Sequence, residues 1–406
     1  MPGDRAGGST PARDPRPAAP WGVPPSDRRR RGQIDGVPTP AGFPEGFVST
    51  SEDRQALLVL VSLRGSSPGS LHDLAWVAGS ASVCLATVMR GEAGSRADHA
   101  FARSADPGAI EASVVAQGAR FVTPSDPEYV PALLDLQTDP PLGLFVRGRS
   151  LLEMPERVAV VGARNCSTLG NEIAMDIGAG LGAAGVCVVS GAARGIDAAS
   201  HRGALSAGGP SIAVLGSGLD LPYPKGSAQL LERIAAAGAV VSEYPPGVQA
   251  EPFRFPARNR IVAALGRGLV VVEGADGSGS MISVEHALEL GREIFAVPGP
   301  VTSPLTHVPL ALIREGATMI RGADDLLDDL GLEPRPILEP PPDLPDVHRR
   351  VFDAVLEREL PEPIAARAGT PVGETLAALL DLEIRGLVRS VGGRFERGLA
   401  RSRPRV

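Results

Sequence analysis

From residue 186 to residue 201 the chain reads VCVVSGAARGIDAASH. Val186, Cys187, Val188 and Val189 form an apolar run with no polar interruption. A short, β-branched, continuous run fits a strand buried on both faces better than one that alternates between core and water. Ser190, Gly191, Ala192, Ala193, Arg194, Gly195, Ile196 and Asp197 then break the run with a loop that opens a helix. The same unit recurs on either side. Upstream, Val158-Ala159-Val160-Val161 runs into Gly162-Ala163-Arg164-Asn165, with Ser167 and Thr168 ahead of the next helix. Downstream, Ile212-Ala213-Val214-Leu215 runs into Gly216-Ser217-Gly218-Leu219-Asp220. Ala239–Val241, Leu269–Val272 and Ile294–Val297 are further runs of the same kind. Helical segments of about 10–15 residues separate most of them, as βαβ crossovers require. The pattern predicts an α/β fold with a doubly wound, mainly parallel sheet from about 158 to 320, and ligands at the carboxyl ends of its strands.

Those carboxyl ends carry the candidate site. Gly162, Gly191 and Gly216 all follow strands, so they belong on one edge of the sheet. Glycine lets a ligand approach the backbone closely, and amides at helix N-termini favour phosphate. Arg164 and Arg194 add charge-assisted donors where the loops converge. Three such loops, two of them with arginine, describe an anion site; the plainer alternative is that the glycines only make tight turns. No GxxxxGK[ST] loop is present, and no GxGxxG follows the first strand. P-loop ATP hydrolysis is therefore unsupported and a dinucleotide site is weakened.

After the fourth run comes Phe253-Arg254-Phe255-Pro256-Ala257-Arg258-Asn259-Arg260. Two aromatics interleave with three arginines in a chain that is only 4% aromatic. Bases stacked on aromatic faces beside phosphate-binding cations are how single strands are held without a sequence code. On this reading Arg164, Arg258 and Arg260 lie in loops that meet at the carboxyl edge. The alternative has Phe253 and Phe255 plugging the core while the arginines make salt bridges.

The 406 residues allow two or three domains. Net charge is −7 and the isoelectric point is near 5.5, so an anion site must be a local patch rather than a basic surface. Lys225 is the only lysine, a bias toward arginine for which a GC-rich genome is the plain cause. Cys84, Cys166 and Cys187 form no CxxC pair and no metal spacing, which fits the reducing cytoplasm. No uninterrupted apolar stretch reaches the ~18 residues of a membrane span, and the N-terminus lacks the apolar core of a secretory signal.

Residues 1–48 are low-complexity, include Arg28 to Arg31, and read as a disordered tail. Residues 53–118 read as a small helical region, with Leu57, Leu58, Leu60, Val61 and Leu63 on an apolar face that Gly65 and Pro68-Gly69 end. Phe121-Val122 and Leu142–Val146 read as strands around Pro140-Pro141, within a core spanning 120–330. A Pro-rich linker covers 331–345. Residues 346–398 read as a winged helix-turn-helix: helices over 347–359, 361–368 and 372–386, then a hairpin turning at Gly392-Gly393. Helix 372–386 carries Glu374, Asp381 and Glu383 against one Arg385, which suits phosphates poorly. The wing, with Arg389, Arg394 and Arg397, suits them better. This favours a protein contact or packing role for the third helix over duplex binding.

Taken in order, these stretches resemble the DNA-processing protein A family (DprA, also called Smf). Val160 to Arg164 is similar to its VGSR strand end, and Ser190 to His201 to its SGLARGIDAAAH. Ala213 to Asp220 with Tyr223-Pro224 resembles AVLGxGLDxxYP. Ser242 to Pro245 resembles SEYP, and Phe255 to Ile261 resembles FPxRNRI. Ser278-Gly279-Ser280, with Ala287-Leu288 and Gly291-Arg292, resembles SGSLITAxxALxxGR, and Ala296 to Gly299 matches AVPG. The resemblance is continuous over about 120–330 and weaker over both ends.

The resemblance implies a Rossmann-like core that forms a homodimer, binds single-stranded DNA in a positive pocket, protects it and loads the RecA recombinase onto it in natural transformation. It implies no enzyme activity, cofactor or metal. Carried over residue by residue, Gly162, Arg164, Ser190, Gly191, Arg194, Gly195, Gly216, Gly218, Arg258, Asn259 and Arg260 form the DNA-binding set, with Phe255 available for base stacking. Asp197 is expected as a helix cap or arginine orienter. Three departures stand out. Ala163 replaces the usual Ser, Ala192 the usual Leu, and Val308-Pro309-Leu310 stands where the family often has Gly-x-Asn. The last puts a DNA contact from that loop in doubt.

A competing reading is a nucleotide-binding or phosphoribohydrolase-like enzyme on the same fold. Such enzymes carry PGGxGTxxE with a catalytic Glu. Here Gly277 to Ser280 holds the similar place, Ser283 stands where the Glu belongs, and the nearest acid is Glu285, two residues later.

Overall fold

The computed structural model describes residues 42–332 except 138, and 344–397 except 356–358, 386 and 392. It also describes a short antiparallel pair, β1 (Gln33–Ile34) and β2 (Val37–Pro38). Most of the expected tail, Arg28–Arg31 included, and most of the Pro-rich linker lie outside the described residues. Residues 42–48 do not behave as a tail. Phe47 is buried, and its ring stacks on Phe43 at 5.2 Å.

Five helices follow: α1 (Ser51–Leu60), α2 (Pro68–Ala78), α3 (Ala81–Arg90), α4 (Arg96–Ser104) and α5 (Pro107–Ala116). Thr50, Ser67, Ser80, Ser95 and Asp106 cap them, each side chain accepting from a backbone amide in the first turn. The Asp53 carboxylate accepts from the Thr50 hydroxyl at 2.8 Å and from the Ser82 hydroxyl at 2.7 Å, which ties α1 to α3. Burial opposes its charge, yet the bonds from Ser82 and Thr50 hold its carboxyl down at about 2.

Next come β3 (Ala119–Val122) and β4 (Leu144–Gly148), then the alternating part of the chain. It runs β5 (Arg157–Val161), α6 (Thr168–Ala184), β6 (Cys187–Ser190), α7 (Ile196–Ser206), β7 (Ser211–Leu215), α8 (Ala228–Ala237) and β8 (Ala239–Ser242). It continues α9 (Arg254–Leu265), β9 (Gly268–Val271), α10 (Ser280–Glu289), β10 (Glu293–Ala296), α11 (His307–Arg314), β11 (Thr318–Met319) and α12 (Ala323–Asp329). Each of the six apolar runs is a strand to within one residue at either end. The sheet order is β11-β10-β9-β5-β6-β7-β8-β4-β3. Only β3 and β4 run antiparallel to their neighbours.

Alternation along each strand divides the core. Val158 and Val160 face α6, α7 and α12, where Ile177, Leu181 and Leu326 meet them. Ala159 and Val161 face the opposite side, packed with Ile261 and Val262 of α9 and Val284 of α10. On the β3–β8 half, Phe121, Phe145, Val240 and Leu215 pack with α8 and with Leu57, Leu60 and Val88 of the N-terminal helices. The helical region thus shares its core with the sheet rather than enclosing one of its own.

The C-terminal unit holds α13 (Asp346–Ala354), α14 (Pro361–Ala368), α15 (Val372–Ile384) and the hairpin of β12 (Val388–Val391) with β13 (Arg394–Arg397). Val351, Phe352, Ile364, Leu379 and Phe395 form its core. The first helix stops at Ala354, short of the expected 359, because Val355 takes an extended conformation.

Candidate functional site

The sheet has one topological switch point. From β5 the chain moves to β6 and onward to β8 through helices on one face, then returns through α9 on the other face to β9, on the far side of β5. The loops after β5 and β9 therefore diverge, and a crevice opens at their carboxyl ends. A cleft of about 610 Å³ lies there. It is walled by the loops after β5, β6 and β9 and by the first turns of α9 and α10.

Half of the expected residues line it: Gly162, Arg164, Gly191, Phe255, Arg258 and Asn259. Arg164 is exposed, and its guanidinium carbon lies 5.0 Å from the centre of the Phe255 ring. Phe255 is half-buried, and the Tyr223 ring meets it at 5.0 Å with a 41° tilt. Tyr223 is 50% exposed and also lines the cleft. The aromatics are therefore available while Arg254, Arg258 and Arg260 are all buried, a combination that neither sequence alternative contained.

Arg258 is built into the wall. It donates to the Gly191 carbonyl at 2.6 Å and to the Val214 carbonyl, and its Nε donates to Asn259 Oδ1 at 2.9 Å. Burial pulls its guanidinium down to about 10, with Asp197 working against that. A Cβ at Gly191 would come within 1.9 Å of this guanidinium, so here glycine makes room for an arginine rather than for a ligand. Asp197 accepts from the Ala193 amide at 3.3 Å and lies 3.9 Å from Arg258. Burial pushes its carboxyl up, and the Arg258 charge opposes that. Of the two roles expected of it, capping is not found, since the N-cap of α7 is Gly195 without a side-chain cap bond, and the contact with Arg258 suits the second, orienting an arginine.

Arg260 is the clearest correction. It is 2% exposed and forms two parallel bonds of 2.6 Å to the carboxylate of Glu243, with Nε 3.0 Å from Asp139. The stretch from Arg254 onward is a helix, not a loop. Residues two apart on a helix point about 200° apart, so Arg258 and Arg260 cannot both face one cleft. Ser190, Arg194, Gly195, Gly216 and Gly218 also stay out of the cleft lining. Ser190 is buried and donates to the Val160 carbonyl at 2.6 Å. Arg194 is exposed and does not line the cleft. Gly195 has φ +79, and a Cβ there would meet the Ala163 carbonyl at 2.2 Å. Gly216 and Gly218 close instead against residues 245–254, with the Gly218 amide donating to the Val248 carbonyl at 2.8 Å.

Sequence reasoning missed the wall formed by Ala275, Asp276, Gly277, Ser278, Gly279 and Ser280. Its glycine-rich composition after a strand was a signal of the kind used elsewhere. It also missed Glu273, which is buried just after β9. Its carboxylate accepts from the Ser167 amide at 2.9 Å and the Ser167 hydroxyl at 2.5 Å, at the N-terminus of α6. A Cβ at Gly170 would lie 2.3 Å from that carboxyl carbon. The chain thus places its own anion on the helix end where such folds commonly receive a phosphate. Val308, Pro309 and Leu310 lie in α11, and Val308 packs beneath Gly274, supporting this loop from behind.

Residues 120–331 match the family model described as DNA recombination-mediator protein A, and residues 333–394 match the DprA winged helix domain. A Mycobacterium tuberculosis protein carrying the DprA name is 38% identical over 335 residues, covering 76% of this chain and 85% of that protein. Protein Smf of Escherichia coli K12 is 36% identical over 304 residues, covering 71% and 80%. The X-ray structure of DNA processing protein A (DprA) from Streptococcus pneumoniae is similar with a TM-score of 0.58 at 33% identity, covering 69% of this chain and 98% of that one.

Proposed function

The chain belongs to the DNA recombination-mediator protein A family, and from that premise we propose that it binds single-stranded DNA in the cleft at the carboxyl ends of β5, β6 and β9. The observation that carries this reading is the cluster of Arg164, Phe255 and Tyr223, a cation beside two accessible aromatic rings. Unstacked bases can reach such rings, whereas a duplex hides its base faces. Arg164 meets phosphate directly, and Arg258 contributes a fixed positive charge from within the wall. Protection of the strand and loading of the RecA recombinase, in DNA-mediated transformation and recombination, enter with the family resemblance, as do a homodimer and a cytoplasmic setting. Among the described residues no single helix is long and apolar enough to cross a membrane.

We read the cleft as a binding site without turnover. Glu285, the acid nearest the position a phosphoribohydrolase needs, is exposed and does not line the cleft. Glu273 occupies the α6 N-terminus itself. The test is fluorescence anisotropy with single- and double-stranded oligonucleotides over a salt series. Single strands are expected to bind at least roughly tenfold tighter, with a steep salt dependence. Equal affinity for both forms at moderate salt overturns the reading.

A further inference from the structure

Phe253 is one of the two aromatics that interleave with arginines, and it does not line the cleft. It is 63% exposed, so it does not plug the core either. It stands at the N-cap of α9 with helical backbone angles, φ −74 and ψ −19. Phe255 comes two residues later, about 200° around the helix. Phe255 therefore faces the cleft, and Phe253 faces the other side of the helix end. Exposed Pro252, itself part of the cleft wall, joins the two sides. The Phe253 ring does not hang free. The guanidinium carbon of Arg254 lies 5.1 Å from its centre and 5.1 Å from the centre of the Tyr244 ring. Arg254 is buried, donates to the Gln249 carbonyl and pairs with Glu251 at 3.1 Å. A fixed cation thus holds the Phe253 ring while most of the side chain stays open to solvent. This repeats, outside the cleft, the pairing of Arg164 with Phe255 inside it. Between the two rings lies the first turn of α9, which carries no acid and no side-chain cap. A helix start of this kind favours a phosphate passing over it.

We propose that Phe253 is a second stacking platform, on which a base of the strand rests after the strand has left the cleft over the N-terminus of α9. The proposal rests on the reading of the cleft as a single-strand site, and it extends the footprint of that site. The order along the strand is a base on Phe255, a phosphate at the helix end and a base on Phe253. A ring already held by Arg254 loses little freedom when a base stacks on it. The two platforms stand apart by about 10–12 Å, the diameter of a helix with its side chains. That is about three nucleotides at the ~3.4 Å rise of a stacked strand, and fewer in a stretched one. The platform carries no sequence code, since every base has a face to stack.

The test measures fluorescence anisotropy of the full chain with labelled oligothymidylates of about 4 to about 20 nucleotides. Phe253→Ala is expected to bind the longest strand at least about fivefold more weakly than the wild type, the lower end of the loss for one stacked base. The deficit is expected to grow with length and to be smallest for strands too short to leave the cleft. Phe255→Ala weakens short and long strands alike. Phe253→Leu keeps an apolar contact with Arg254 but offers no ring, and is expected to match Phe253→Ala. Phe253→Trp is expected to keep the wild-type affinity, and its added indole to lose fluorescence with the long strand more than with the short one. A Phe253→Ala deficit equal at every length, or full affinity in Phe253→Leu, overturns the platform. So does wild-type binding by Phe253→Ala at every length, even where the ring proves to contact a protein instead. Should Phe255→Ala also bind every length normally, the reading of the cleft fails as well; a loss in Phe255→Ala alone sinks only this inference.

Discussion

The guanidinium of Arg164 stacks over the ring of Phe255 at 5.0 Å, although one comes from the loop after β5 and the other from the first turn of α9. The pair joins the charge and the aromatic face that a single strand needs, and the two contributions are separable. Arg164→Ala removes one exposed cation. It is expected to weaken binding to all sequences and to lower the salt slope by roughly one unit. Phe255→Ala removes stacking worth about 1–3 kcal/mol and leaves the slope nearly unchanged. Tyr223→Ala acts as Phe255→Ala does. Anisotropy titrations over a salt series check all three, and a slope changed by Phe255→Ala but not by Arg164→Ala refutes the assignment.

Arg260 behaves as part of the frame. Its two bonds to Glu243 join the end of β8 to α9 in a buried site. Arg260→Ala strands the Glu243 carboxylate without its cation and is expected to cost about 3–5 kcal/mol of stability. The fraction that stays folded should bind single strands almost normally. Urea denaturation and anisotropy on the same preparation separate the two effects. A stable variant with lost binding would return Arg260 to the interface.

The fold was legible because its strands are continuous β-branched runs, a signal that needs no partner residue to interpret. The site was half legible. Arg258 and Arg260 were visible as residue types, but their direction depends on α9 being a helix. Their partners, Asp197 and Glu243, lie far enough away in sequence that only the fold brings them near. The wall from Ala275 to Ser280 was hidden for another reason. Its loop follows β9, and only the strand order, with β9 beside β5, makes it a neighbour of Arg164. The packing of Phe47 and the N-terminal helices on the sheet was equally invisible, since their apolar faces suit a separate domain just as well.

Glu273 occupies the N-terminus of α6. Its carboxylate takes the Ser167 amide and hydroxyl at the start of α6. Glu273→Ala leaves both donors without that acceptor and is expected to destabilise by about 1–3 kcal/mol. It also frees a helix N-terminus for an external anion. Inorganic phosphate or adenosine monophosphate is expected to raise the melting temperature of this variant and to leave the wild type unchanged. Equal stabilisation of both proteins would mean that Glu273 closes nothing.

His201 makes the fold sensitive to mild acid. Its Nδ1 lies 2.7 Å from the Ser211 hydroxyl, which itself donates to the Val188 carbonyl at 2.9 Å, so Nδ1 must carry the proton. Nε2 is buried with no partner among the described residues. A second proton would place an unsatisfied cation in the core, and burial, with the charges of Arg258 and Arg202, pulls the imidazole down from 6.5 to about 3. In the unfolded chain the ring protonates first as pH falls. The stability it contributes is complete above about 6.5 and is lost toward pH 3 at about 1.4 kcal/mol per unit, or about 2 kcal/mol by pH 5. Burial also lowers His72, which adds to the slope, whereas Asp53 titrates only in stronger acid. His201→Asn keeps a donor toward Ser211 without titrating. Urea midpoints at neutral pH and at about pH 5 should therefore show the variant losing about 2 kcal/mol less than the wild type. An equal loss in both would place the acid sensitivity elsewhere.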